Sequence, residues 1–259
     1  MGLAVTISIL VINEILKRVI IAGISWVGED TNSEQLSSVT NGVFIAQFFN
    51  TGILLLLVNG NMSEHWPYAL TKYFKGRYYD YYPSWYKNVG LKISMTMAIN
   101  AFLPYSGLVS SLVVPGIFRL LDRKFQSNIY VTKKTSMAQY KQLYSGAEYV
   151  IHFKYSNILN IVYITCMYGI GMPILFVIAA INFFNQYMCE RAIVAWCMKQ
   201  PPALDDKLTN NSLEMLKYAP LLMLFNGFWM ISNPQIFQNE HSPIPRRGMS
   251  MESNHLFDI

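Results

Sequence analysis

Three stretches of this chain run without a charged side chain: 21 residues from Val39 to Asn59, 26 from Ile93 to Phe118 and 35 from Tyr155 to Cys189. A helix rises about 1.5 Å per residue, so about 20 apolar residues reach across the hydrocarbon of a bilayer. The first two stretches fit one crossing each. The third is too long for one and holds Gly169-Ile170-Gly171-Met172-Pro173 near its middle. Glycine loosens a helix and proline cannot donate the bond that would continue it. The third stretch therefore reads as two helices joined by a tight turn at Gly169, Gly171 and Pro173.

Apolar segments also open the chain and lie near its end, where Pro220 and Ser232-Asn233-Pro234 interrupt the pattern. No alternation of period two is sustained, so helices rather than a barrel are expected to satisfy the backbone. The expected fold is an all-α membrane protein, a polytopic helical bundle of about five or six transmembrane helices. Its spans fall near residues 3–28, 39–59, 91–118, 157–176, 177–198 and 213–232, and a polar tail follows at 240–259.

Composition agrees, with 53% hydrophobic and 14% charged residues, where soluble domains carry about 25% charged residues. Mean hydropathy is +0.25. Cys166, Cys189 and Cys197 stand in apolar surroundings without a CxxC partner, and His65, His152, His241 and His255 are isolated. No phosphate-binding glycine loop, nucleophile elbow or metal-ligand cluster is present in the pattern. The sequence thus predicts neither an enzyme nor a bound metal or cofactor, and no nucleic-acid partner.

Orientation follows the distribution of lysine and arginine. Residues 119–154 carry seven basic against two acidic side chains, a net of +5, and are placed on the cytoplasmic side. Residues 63–88 then lie outside, where Trp66, Tyr68, Tyr73, Tyr78, Tyr81 and Trp85 suit the headgroup zone. The sequon Asn61-Met62-Ser63 falls on that side.

The apolar spans contain more polar side chains than an anchor needs. Asn41, Gln47, Asn50 and Thr51 lie in the second; Ser94, Thr96, Asn100, Ser110 and Ser111 in the third; Asn157, Asn160, Thr165, Asn182 and Asn185 in the hairpin. Such groups either bond between helices or face water. In the second reading, Gln47, Asn50, Thr96, Asn100 and Ser111 line a hydrated path, where amide and hydroxyl oxygens replace part of a cation's water shell. Pro104 and Gly107 would let the third helix bend as a gate or simply shape its packing. Glu14 with Lys17 and Arg18 makes either a local ion pair or a charged pore mouth.

The order of these segments resembles the OSCA family of stress-gated cation channels. The most specific match runs from Phe153 to Trp196. There, Met167-Tyr168-Gly169-Ile170-Gly171-Met172-Pro173 is similar to the family's helix end and turn, and Tyr187-Met188-Cys189-Glu190-Arg191 closes the next helix. Leu91–Lys124 is similar to the family's pore helix, with Lys92 near its start and Gly107 in the glycine region. Ser110 and Ser111 stand where the family carries an acidic residue. The resemblance covers most of residues 1–198 and implies further helices beyond this chain. The fold is shared with the anoctamins, which include lipid scramblases and chloride channels.

Three functions remain open at this point: a tension-gated cation channel pore, a phospholipid scramblase and a non-conducting scaffold. The expected partners are membrane lipids, permeating cations, the remaining helices of a longer protein and a second copy of the chain.

Overall fold

The computed structural model describes residues 2–29, 31–61, 76–125, 132–146, 149–199 and 206–232, with side chains from residue 11 onward except at Asn32. Residues 62–75, most of the sequon, the polar tail and Glu148 lie outside the described residues. Helix α1 spans Gly2–Val27. Helix α2 (Asn32–Phe48) starts where the Thr31 hydroxyl accepts a bond from the Glu34 N–H at 3.3 Å, filling one of the donors that a helix start leaves unpaired. It passes through a π-helical turn, Phe49–Ile53, into α3 (Leu54–Asn59) and stops where Gly60 turns extended.

A second continuous rod begins with α4 (Pro83–Trp85), its proline at the first helical position, where no N–H is needed. It too passes through a π turn, Tyr86–Gly90, into α5 (Leu91–Asp122). After α6 (Met137–Tyr144) come α7 (Ile151–Tyr168) and α8 (Ile174–Trp196), then α9 (Lys207–Leu216) and α10 (Ala219–Ile231). Outside the helices, Gly60 and Tyr78 form an isolated parallel bridge.

The main core grows from a stripe of three- and four-residue spacing: Tyr78, Tyr81, Trp85, Val89, Ile93 and Met97, all buried. It packs on Ile161, Ile164 and Tyr168 of α7, Leu175 and Ala179 of α8, and Met230 of α10. A smaller cluster joins Phe44, Leu159, Tyr163 and Ala219. Helix α5 pairs most extensively with α8, and α2 with α7. Gly90 lets these layers meet, since a Cβ there would stand 2.7 Å from the Met172 sulfur.

Outside this core the usual partition is reversed. Phe102 (62% exposed), Phe184 (65%) and Phe228 (72%) face outward, while Thr40, Thr51, Thr96, Asn182 and Gln186 are inside. A water-soluble domain buries the first kind and exposes the second.

Among the described residues two stretches, Ser33–Asn59 and Pro83–Asp122, are long and apolar enough to cross a membrane. The sequence reading expects five or six such spans. Helix α10 has only 13 residues, about 20 Å at 1.5 Å per residue, short of a hydrocarbon core of about 30 Å.

One further expectation is corrected. Helix α7 begins at Ile151, not near Asn157, because Lys154 is paired and does not end it. The helical assignment of α5 runs unbroken past Pro104 and Pro115. Each proline lacks the N–H that would reach four residues back, so the Asn100 and Ser111 carbonyls lose their helical donor.

Candidate functional site

A cleft of about 620 Å³ opens among α1, α5, α7 and α8. Helix α1 contributes Glu14 and Lys17, and α5 contributes Pro104, Gly107, Ser110 and Ser111. The opposite walls carry Tyr149, Lys154 and Asn157 before and along α7, and Gln186 and Glu190 of α8. A Cβ on Gly107 would meet no atom within 4 Å, so this part of α5 borders open space.

The charges in the cleft are paired. The Lys154 ammonium meets Glu190 Oε1, and the Tyr149 hydroxyl donates to Glu190 Oε2 at 3.0 Å. Burial raises the Tyr149 phenol above its ordinary range, and the Glu190 carboxylate raises it further. Lys17 Nζ lies 2.9 Å from Glu14 Oε2 one helical turn away. Two acids and two bases leave the walls electrically balanced.

The α7–α8 turn fixes what lies deeper. Lys154 and Glu190 meet across the hairpin, and Asn157, Asn160, Asn182 and Gln186 lie between that pair and the turn in sequence. All but Asn157 of these inner four are buried. Among the described residues, Gln186 Oε1, Asn160 Oδ1 and both amide atoms of Asn182 have no hydrogen-bond partner. Buried amides left this way are costly unless water or a solute bonds them. Gln186 belongs to both the cleft wall and the buried set.

The sequence-predicted residues divide into two groups. Ser111, Pro104 and Gly107 line the cleft. Gln47, Asn50, Thr96 and Asn100 are not on its walls and are buried in the interior. Asn50 Nδ2 donates to Asn13 Oδ1 at 2.7 Å, and Asn13 Nδ2 donates to Thr51 Oγ1 at 3.1 Å, which ties α1 to the π turn after α2. The Thr96 hydroxyl donates to the Lys92 carbonyl within its own helix at 2.8 Å, and Gln47 Oε1 has no partner among the described residues. Beside Pro104, Tyr105 donates to Asn185 Oδ1, and Asn185 Nδ2 donates to the Ala101 carbonyl, both at 3.0 Å.

Sequence reasoning missed four residues. Asn13 sits in an otherwise apolar segment and gives no periodic signal. Gln186 follows Asn185 and escapes notice beside it. The Lys154–Glu190 pair had a signal: these charges stand immediately before and after the 35-residue uncharged run.

Among the described residues, no group of three or more His, Cys, Asp or Glu side chains is placed to hold a metal ion. Compared with known proteins, the chain matches no family model, no curated protein and no solved structure.

Proposed function

We propose that this chain is part of the pore region of a tension-gated cation channel, carried in the membrane by a bundle of five or six helices. The observation that supports it best is a cleft with two acidic and two basic side chains on its walls, where Gln186 is one of several buried amides, with Asn160 and Asn182, that have an atom without a partner among the described residues. In hydrocarbon such groups need water or an ion to bond them. The carbonyls of Asn100 and Ser111, which lack a helical donor, would add oxygen ligands, and Gln47, whose Oε1 has no partner among the described residues, would extend the path. Pro104 and Gly107 give α5 a place to bend, and tension favours whichever state occupies more membrane area. The resemblance to the OSCA family supports the same reading, with residues 119–154 on the cytoplasmic side and further helices supplied from outside this chain.

The test is a patch recording from stretched liposomes containing the full-length protein. Cation currents that rise with suction are expected, with conductance reduced at least severalfold by Gln186→Leu and by Ser111→Leu. Stretch currents unaffected by both substitutions would remove this pathway.

A second reading has its own observation. The cleft presents both carboxylates and ammonium groups, a fit for a zwitterionic lipid headgroup crossing between leaflets. Flipping of a fluorescent lipid by the same liposomes in silent patches would favour that scramblase. Silence in both assays leaves a scaffold.

A further inference from the structure

A second cleft, of about 940 Å³, adjoins the first along α5, where the two share Val114 and Pro115, and its remaining walls are its own. One wall is the apolar surface of α5 at Val114 and Phe118, which are 47% and 56% exposed. The other is polar: α6 brings Lys141 and Tyr144, and Lys199 comes from beyond α8. The loop holds this shape because Gly146, at φ +86°, packs where a Cβ would stand 2.7 Å from the Cys197 carbonyl.

Both charged groups lining the cleft are cations, and no ion pair is formed by Lys141 or Lys199 among the described residues. More positive charge stands behind them. The Arg119 and Arg123 guanidinium groups lie 5.6 and 5.5 Å from the centre of the Tyr144 ring. Arg119 donates to the Tyr144 carbonyl at 3.3 Å, and its Nε is buried with no partner among the described residues. The nearby carboxylate of Asp122 is already engaged by the Thr132 hydroxyl at 2.7 Å and the Lys133 N–H at 3.2 Å.

An occupant of this cleft must be apolar on one side and anionic on the other. We propose that it binds one anionic phospholipid, the phosphate between Lys141 and Lys199 and an acyl chain along Val114 and Phe118. The site rests on the reading of α5 as a membrane helix. It would make the bend of α5 sensitive to the charge of the adjacent leaflet, because α5 itself forms one wall.

The experiment uses the full chain in nanodiscs of zwitterionic lipid with a minor anionic component, and counts retained lipid by native mass spectrometry. Wild type is expected to keep one anionic lipid. Affinity should fall about fivefold for each lysine replaced in Lys141→Gln and Lys199→Gln, the effect of one basic charge near a membrane surface. Both side chains are exposed, so unchanged melting temperatures will show that the variants fold. The control Lys133→Gln with Lys134→Gln removes equal charge from outside the cleft and is expected to change nothing. Equal losses in control and cleft variants would overturn the site in favour of diffuse attraction. So would displacement by millimolar inorganic phosphate, which marks a soluble anion site. A chain that stays in solution without detergent would instead overturn the membrane reading itself.

Discussion

Lys154 and Glu190 form an ion pair across the open end of the α7–α8 hairpin, although 36 positions separate them in sequence. They bracket the longest uncharged run, and a run that folds in half brings its two ends together. The pair thus fixes the hairpin's register and sets charge at the cleft mouth. Glu190 is 16% exposed at its side chain and Lys154 is 36% exposed, so neither is fully hydrated.

Removing one member of a partly buried pair leaves its partner uncompensated. Lys154→Ala and Glu190→Ala are each expected to destabilise the protein by about 1–3 kcal/mol, with Glu190→Ala also stranding the Tyr149 hydroxyl. The double variant should lose less than the sum, because it removes both charges. A double-mutant cycle on thermal unfolding in detergent checks this, and strict additivity would mean that the two do not interact.

Asn13, Asn50 and Thr51 make a second unit. Asn13→Leu leaves the Asn50 amide and the Thr51 hydroxyl without their partner, at about 1–3 kcal/mol for buried polar groups. Asn13→Leu combined with Asn50→Leu should recover part of that loss. Chemical denaturation of the four-protein set measures it.

Gly107 is an open position in the middle of α5. A methyl group there meets nothing within 4 Å, and alanine stabilises a helix interior by about 0.5–1 kcal/mol over glycine. Gly107→Ala should therefore raise the melting temperature and, by stiffening the bend, raise the tension needed for half-maximal current. An unchanged threshold in a stabilised variant would take the hinge role from Gly107.

Asp80 supplies a pH dependence outside the spans. Burial raises its carboxyl above the ordinary range, against the opposing hydrogen bonds from the Tyr81 N–H and the Trp229 indole. The folded state therefore holds the proton more tightly than the unfolded state. Its contribution is most favourable below the unfolded pKa of 3.8 and is lost as pH rises through the higher folded value. Asp80→Asn keeps the acceptor oxygen and removes the charge. The variant should match wild type at low pH and exceed it near neutrality, as read from melting temperature against pH.

The parts of this fold legible in sequence are those written locally. The break between Tyr168 and Ile174 is marked by two glycines and a proline, and the stripe from Trp85 to Met97 announces the buried face of α5. The illegible parts depend on distant partners. Lys154 looked like a helix boundary because Glu190 was out of view. Asn13 carries no periodic signal, and its role appears only when α1 meets the π turn that holds Asn50 and Thr51. The cleft follows the same rule, since its walls come from four elements spread over most of the chain.

Both stretches long enough to cross a membrane contain a π turn, at Phe49–Ile53 in one and Tyr86–Gly90 in the other. A π turn closes on a carbonyl five residues back rather than four, so each rod stores one residue of slack. Passing that residue along the rod shifts everything beyond it by about 1.5 Å and turns it by about 100°, with the count of backbone bonds preserved. These two helices are therefore adjustable in length and facing, like screws with one spare thread.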